Sequence, residues 1–505
     1  MKSKTLMFAV GVVLLAELAT PFLLSAQELR YKLIVIGTLG GPQSYGDAGH
    51  GAANINKQGT AVGVADTSTP DPFFPNFNPV FSGPSTGMYP LVYHVFTTRG
   101  DALVDLGGLP FAGLPGGGDS NATFVTENGL VSGQALNGSI DSISGWPAAD
   151  AVLWKDDHII NLGTLGGQES LAGRVNSRGQ VTGFATNGIS DPFSIFYFLF
   201  GGQITNGTQT RAFIWDETNG MRDIGTLGGP DAVAPYINER GQIAGSSYTN
   251  STLNPTTGFP TIDPFLWDHG KMIDLGTLGG TSGSPGGLNN RGDICGISNT
   301  LGDQTAHVFL WTPPGPIRDL GTLGGPNAYE IGEMNDAGEF VGFADTPTST
   351  HGFLWNGSEM IDVGTLAGDC FSGAFGINAR TQVVGNSISC DGTMFRAFLW
   401  QNGHNIDLNV FVPPGSDLTL TDVEKINDRG EMFGIGTLPN GNSRAFLLIP
   451  VGNEDPDGIT ATAENLAALA SKSKQTSAIA VTTSREMLSA WRAKHSGRFR
   501  IPNLQ

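Results

Sequence analysis

Short apolar runs bounded by Gly, Asn, Asp or Pro follow one another from about residue 32 to residue 450. Four of them recur in a fixed order. The first ends in Ile-Asn, the second reads like "VVG", the third like "AFLW" and the fourth like "MIDLG", as in blocks ending Trp311, Trp355 and Trp400. In the third piece alternate residues of a strand place Phe and Trp on one face and Ala and Leu on the other. Both faces are apolar, which predicts a sheet covered on both sides. The Asn closing the first piece falls at Asn56, Asn176, Asn238, Asn289, Asn335, Asn378 and Asn427, with Thr126 in the second unit. Gly usually follows three residues later, although Thr381 breaks that rule. Asn opening a turn and Gly accepting positive φ predict a tight hairpin after each first strand.

The pattern gives eight units of four strands. The shortest spacing, Gly321 to Gly364, is 43 residues, the length of a four-stranded propeller blade. The last unit ends at "RAFLLIP" without a fourth strand, and "YKLIVIG" from Tyr31 is a fourth strand without a unit. Pairing the two predicts a closed ring with no open edge. The expectation is therefore an all-β chain, a single β-propeller of eight four-stranded blades closed by its N-terminal strand. "GTLGG", repeated after most fourth strands, is then the connector to the next blade's inner strand, with its Leu plugging between blades. Repetition and the lack of a following helix argue against a phosphate-binding loop.

The units, as in "HVFLW…DLGTLGG…MNDAGEFVGFA", resemble the extracellular HAF repeats over about residues 32–450. That resemblance implies a secreted bacterial repeat protein and transfers no catalytic residue. The His of the motif survives at His94, His307 and His351. Asp150, Arg211, Asp263, Arg396 and Arg444 replace it elsewhere, so a structural hydrogen bond or an exposed polar position is expected there rather than a ligand.

Long insertions separate the second and third strands of units one to four, all on the face of the GTLGG connectors. They concentrate aromatic residues: Phe73, Phe74, Phe77 and Tyr89 in the first, Trp146 in the second, Phe193, Phe196 and Tyr197 in the third. Two readings stand. The rings form a binding surface for an extracellular glycan or protein, or they form a satellite core packing the loops together. A third possibility is a carbohydrate-active hydrolase or lyase with acids near the axis, drawn from Asp47, Asp231, Glu330, Glu333, Asp422 and Glu424. No metal-binding, nucleophile-elbow or calcium-loop motif is present, and no cofactor is called for. Cys295 reads as a buried thiol. Cys370 and Cys390 fall on one face of one unit and are either a disulfide or two separate thiols.

The formal charge of −19 over 505 residues argues against nucleic acid as a partner. Residues 1–26 carry Lys2 and Lys4, an apolar segment and Ser25-Ala26, the pattern of a cleaved signal peptide. No later stretch is long and apolar enough to span a bilayer. The expectation is a secreted or extracellular monomer, with periplasmic or cell-surface residence as variants: 27–450 the propeller, 451–505 a partly helical or disordered tail.

Overall fold

The computed structural model describes residues 29–46, 54–81, 90–100, 102–156, 158–201, 206–255 and 257–462. The expected signal peptide, Tyr89, Asp47 and most of the expected tail lie outside them. The repeating unit is clearest in blade six. Ala328–Met334, Phe340–Asp345, Thr350–Trp355 and Met360–Gly364 run antiparallel in sequence order. Phe353 of the AFLW-like piece is fully buried, with Phe340 edge-on to it and Trp355 stacked on Phe340 at 6.2 Å. The same four-strand order recurs through the chain. The sheet from Ala232 to Gly321 resolves into two such units, joined by one parallel bridge between Ile262 and Ser282.

The N-terminal strand Arg30–Val35 supplies the fourth position of the last blade, pairing antiparallel with Ser443–Pro450 from Tyr31↔Pro450 to Val35↔Phe446. Residues just past the expected boundary still belong to this sheet. Ile459–Thr460 pairs with the outer edge of the N-terminal strand, Arg30 Nε donates to Gly452 O at 3.2 Å, and Lys32 reaches Asp457 at 2.8 Å. Residues 451–462 are thus an edge cover for a strand that would otherwise present unpaired backbone.

The recurrent Asn does more than form its turn. Its Oδ1 accepts backbone N–H groups two and four residues on, as from Arg240 and Gln242 to Asn238. Its Nδ2 then reaches the next blade and donates to the backbone carbonyl of the equivalent residue. The steps are Asn56→Thr126, Asn176→Asn238, Asn238→Asn289, Asn335→Asn378, Asn378→Asn427 and Asn427→Asn56, all 2.9–3.2 Å. Thr126 has no amide to send, and Asn128 Nδ2 bonds Ser177 O instead; Asn289 Nδ2 turns to Asp293 Oδ2 of its own turn. The last step links residues 371 positions apart. A side chain with both a donor and an acceptor is required to serve turn and neighbour together, which is why Asn recurs.

The GTLGG connectors follow one plan. The Asp two residues before the first Gly caps that Gly's N–H, as Asp274 does for Gly276 at 2.8 Å. Gly276 and Gly279 adopt φ of +69° and +98°, values that favour glycine. Thr277 Oγ1 donates to Gly280 O at 2.7 Å. The Leu packs between blade cores, Leu366 of the connector between blades six and seven being buried. Around the axis on the Asn-turn side lies a cavity of about 230 Å³ lined by Phe124, Met334, Ile377 and the turn residues.

Candidate functional site

Each insertion is built on the same base. The second strand runs ten residues in blades one to three and eleven in blade four, against six or seven in blades five to eight. The extension stands above the connector face. At its tip an Asp or Asn turns the chain: Asp71, Asp141, Asp191 and Asn254 each donate their backbone N–H to the returning strand at 2.8–2.9 Å. Their side chains cap N–H groups inside the loop, those of Phe73, Ile143, Phe193 and Thr257. Asx capping two residues on explains why "DPF" occurs twice at one offset.

The loops pack on one another. Asn76 and Asn78 of the first donate to Gly145 O and Pro147 O of the second. Tyr93 and Tyr248 hydroxyls hold Phe81 O and Phe193 O. Phe259 of the fourth insertion meets Phe193 and Phe198 with centroids 6.4 and 4.2 Å apart. The third insertion contains a helix, Ile195–Gly201, where only loop was expected. Its Ile195, Phe196 and Tyr197 are wholly buried in the cluster shared with Val80, Phe81 and Tyr93.

This corrects the aromatic assignment in part. Phe196 and Tyr197 are core residues of the loops and are not available to a ligand. Phe73 packs on Phe111 at 5.7 Å, Phe193 packs on Phe259, and Trp146 is half-buried. Phe74 and Phe77 remain exposed, at 45% and 38%. Four aliphatic residues join them that an aromatic search passes over: Ile140 at 47%, Ile189 at 58%, Leu253 at 40% and Leu301 at 84%. They sit at or just past the second-strand tips of blades two to five. The sequence signal was an apolar residue just before the Asx, as in Ile140-Asp141 and Leu253-Asn254. Among the described residues one further large apolar side chain is exposed, Val35.

Beneath the loops lie buried acids. Asp119 Oδ1 accepts from Tyr93 N, Glu169 Oε2 from Ala149 N, and Asp231 Oδ1 from Thr210 N, at 2.9–3.1 Å. Burial pushes all three carboxyls well above their ordinary range, and the loop acids Asp71, Asp141 and Asp191 respectively add repulsion. Asp66, Asp71 and Asp119 line a small cavity of about 20 Å³ together with Phe74, Phe77 and Tyr93. No group of three or more His, Cys, Asp or Glu is arranged to hold a metal ion among the described residues. Of the axial acids, Asp231 is committed to Ile195 N and Thr210 N, and Glu333 faces Lys425 at 3.4 Å.

The HAF-position residues face the fourth strand of their own blade. His94, His307 and His351 bond Asp105, Asp319 and Asp362 at 3.0–3.1 Å; Arg211 and Arg396 bond Asp223 and Asp407; Asp150 takes Asn161. These are structural pairs. In blade four the pair is Asp263 with Asp274, two acids; burial, then Asp274, pushes Asp263 up to about 7. Cys370 and Cys390 are joined, Cα atoms 4.7 Å apart, and Cys295 is a buried free thiol.

No known family model matches the sequence, and neither does any curated protein. Among solved structures, the β-propeller domain of the Trilobed protease from Pyrococcus furiosus aligns at 9% identity with a TM-score of 0.41, covering 72% of this chain and 95% of that one. Oligogalacturonate lyase from Vibrio parahaemolyticus aligns at 12% identity and 0.42, covering 84% and 98%. TolB from Acinetobacter baumannii aligns at 12% and 0.30, covering 62% and 79%. At these scores the likenesses carry no argument; the propeller of four-stranded blades rests on the strand pairing described above.

Proposed function

We propose that the protein is an exported, HAF-repeat β-propeller that binds a glycan or protein partner outside the cytoplasm through the decorated face. One observation carries this reading. Of the seven large apolar side chains exposed among the described residues, six crown one face of five consecutive blades. Single exposed apolar residues are unremarkable, whereas clustering on a rigid platform marks an interaction surface. Export is supported by the N-terminal pattern and by the Cys370–Cys390 bond, which persists in oxidising compartments. Among the described residues no helix is long and apolar enough to cross a membrane. The hydrolase or lyase alternative calls for a cleft on the order of 300–1,000 Å³ around its acids; the acids of the decorated face surround about 20 Å³, and Glu333, which lines the axial cavity of about 230 Å³, is paired with Lys425.

The test is glycan- and protein-array binding by the mature chain, repeated with Phe74→Ala, Phe77→Ala and Ile189→Ser. Each truncation is expected to weaken capture by about 1–3 kcal/mol. Undiminished capture by all three would place the binding surface elsewhere.

A further inference from the structure

The cavity under Phe74 and Phe77 has a physical oddity. Asp66, on the second strand of blade one, is 2% exposed. It accepts from the Gln43 backbone N–H, while its Oδ2 is buried without a partner. Two more acids line the same space: Asp71 from the loop cap and Asp119 from the next blade. The cation that acts on Asp66 is Arg444, whose Nη1 donates to the carbonyls of Pro42 and Ser443. Tyr93, the remaining titratable lining group, donates its hydroxyl to Phe81 O. A buried, unpartnered carboxylate oxygen beside two other acids is unfavourable unless a proton or an outside cation joins them.

We propose that this cavity is a binding site for a primary alkylammonium group, whose N–H donors reach Asp66 Oδ2 and its neighbouring acids while Phe74 and Phe77 flank the alkyl stem. The cavity of about 20 Å³ exceeds the ~10–15 Å³ that a water-sized group requires, and –NH₃⁺ is of that size. An ammonium carries three donors and no acceptor, the complement of an acceptor-only wall. A metal ion is disfavoured because the acids are not disposed as a metal-holding group; hydrogen bonds of about 2.8 Å span a wider space than coordination at about 2.3 Å. Aromatic rings at the mouth add cation–π attraction and cover the apolar stem. A plain structural role leaves the acid at Asp119 unexplained, because Asn327 and Gln43 accept the equivalent backbone N–H elsewhere in the ring with neutral carboxamides.

Burial raises Asp66 to about 6, Asp71 above its ordinary value and Asp119 well above it, so the three carboxyls together retain protons near neutrality. An arriving ammonium displaces such a proton, and binding weakens as pH falls below about 6. The proposal rests on the decorated face being a binding surface, and it names what that face recognises first.

The experiment is calorimetric titration of the full chain at pH 7.5 with n-butylammonium, putrescine, a blocked lysine residue and the same residue acetylated on Nε. Calcium is titrated in parallel. Binding of the lysine derivative but neither free amine assigns the site to a protein side chain; binding of all three assigns it to alkylammonium generally. Either result is expected to fall about tenfold or more in Asp66→Asn and in Phe74→Ala, to vanish with the acetylated ligand, and to release protons in buffers of differing ionisation enthalpy. Absence of amine binding, equal binding of the acetylated derivative, or saturable binding of calcium instead would each overturn the proposal. The acetylated control decides the matter even if a variant fails to fold. Array capture that persists without amine binding removes this pocket and leaves the face reading intact.

Discussion

Blades one to four and blades five to eight are the same unit with different second strands. In blade six the strand ends at Asp345 and returns within a short turn; in blade three it runs on to Ser190 and feeds a loop with its own helix. The buried Phe and the connector are unaffected, so the fold tolerates decoration at this one joint. The chemistry beneath the joint changes as well. Where blade five's third strand bonds Asn327, blades one to three bond Asp119, Glu169 and Asp231. The acid is unnecessary for that hydrogen bond, and it appears only where an insertion and its own Asp lie above. Blade seven takes another route, closing its connection with Cys370–Cys390. Large loops are held by a satellite core, a short one by a covalent bond.

The comparison breaks if the loops prove independent of the ring. Phe196→Ala empties a wholly buried site and is expected to cost about 3–5 kcal/mol, as much as Phe353→Ala in plain blade six. Melting followed by circular dichroism and by proteolysis at the loops would expose a difference: early loop cleavage with an unchanged melt means the satellite core is a separate unit.

Removing the covalent route comes next. Cys390→Ser opens a loop of 20 residues and loses roughly 3 kcal/mol in the loop-entropy account. Thiol labelling of the denatured, unreduced wild type should find one reactive cysteine, Cys295; three would contradict the bond. Asn427→Ala then removes the link to Asn56 and the turn caps, with an expected loss of about 1–3 kcal/mol in denaturant unfolding. A smaller effect would assign closure to strand packing alone.

Blade four offers a subtler test. Asp263 has its folded value raised to about 7. The fold favours its protonated form, so its contribution is present in acid and lost as pH rises through about 7. Asp263→Asn is expected to raise the melting temperature at pH 8 and leave it unchanged at pH 4. The reverse ordering would mean Asp263 and Asp274 are kept apart. The smallest stability effect belongs to Phe74→Ala and Phe77→Ala, within about 0.5 kcal/mol, since exposed side chains support no core.

Much of this was legible in the chain. Apolar pieces recurring in order determine strand number, strand order and the vacancy that Tyr31–Val35 fills, because a strand's faces and a blade's length are local properties of sequence. The connector role of GTLGG, the placement of insertions on one face, the structural nature of His94, His307 and His351, and the Cys370–Cys390 option follow from position in the repeat. What a side chain meets across a blade boundary does not. Asn427 reads as a turn residue, and only the ring brings Asn56 to its Nδ2. Phe74 and Phe196 are equivalent as letters in aromatic loops; packing buries one and leaves the other in water. Asp66, Asp71 and Asp119 come from two blades and face one another only after folding. Burial and pairing are sums over neighbours distant in sequence, so the tertiary structure alone decided which acids became a pocket and which apolar residues became its rim.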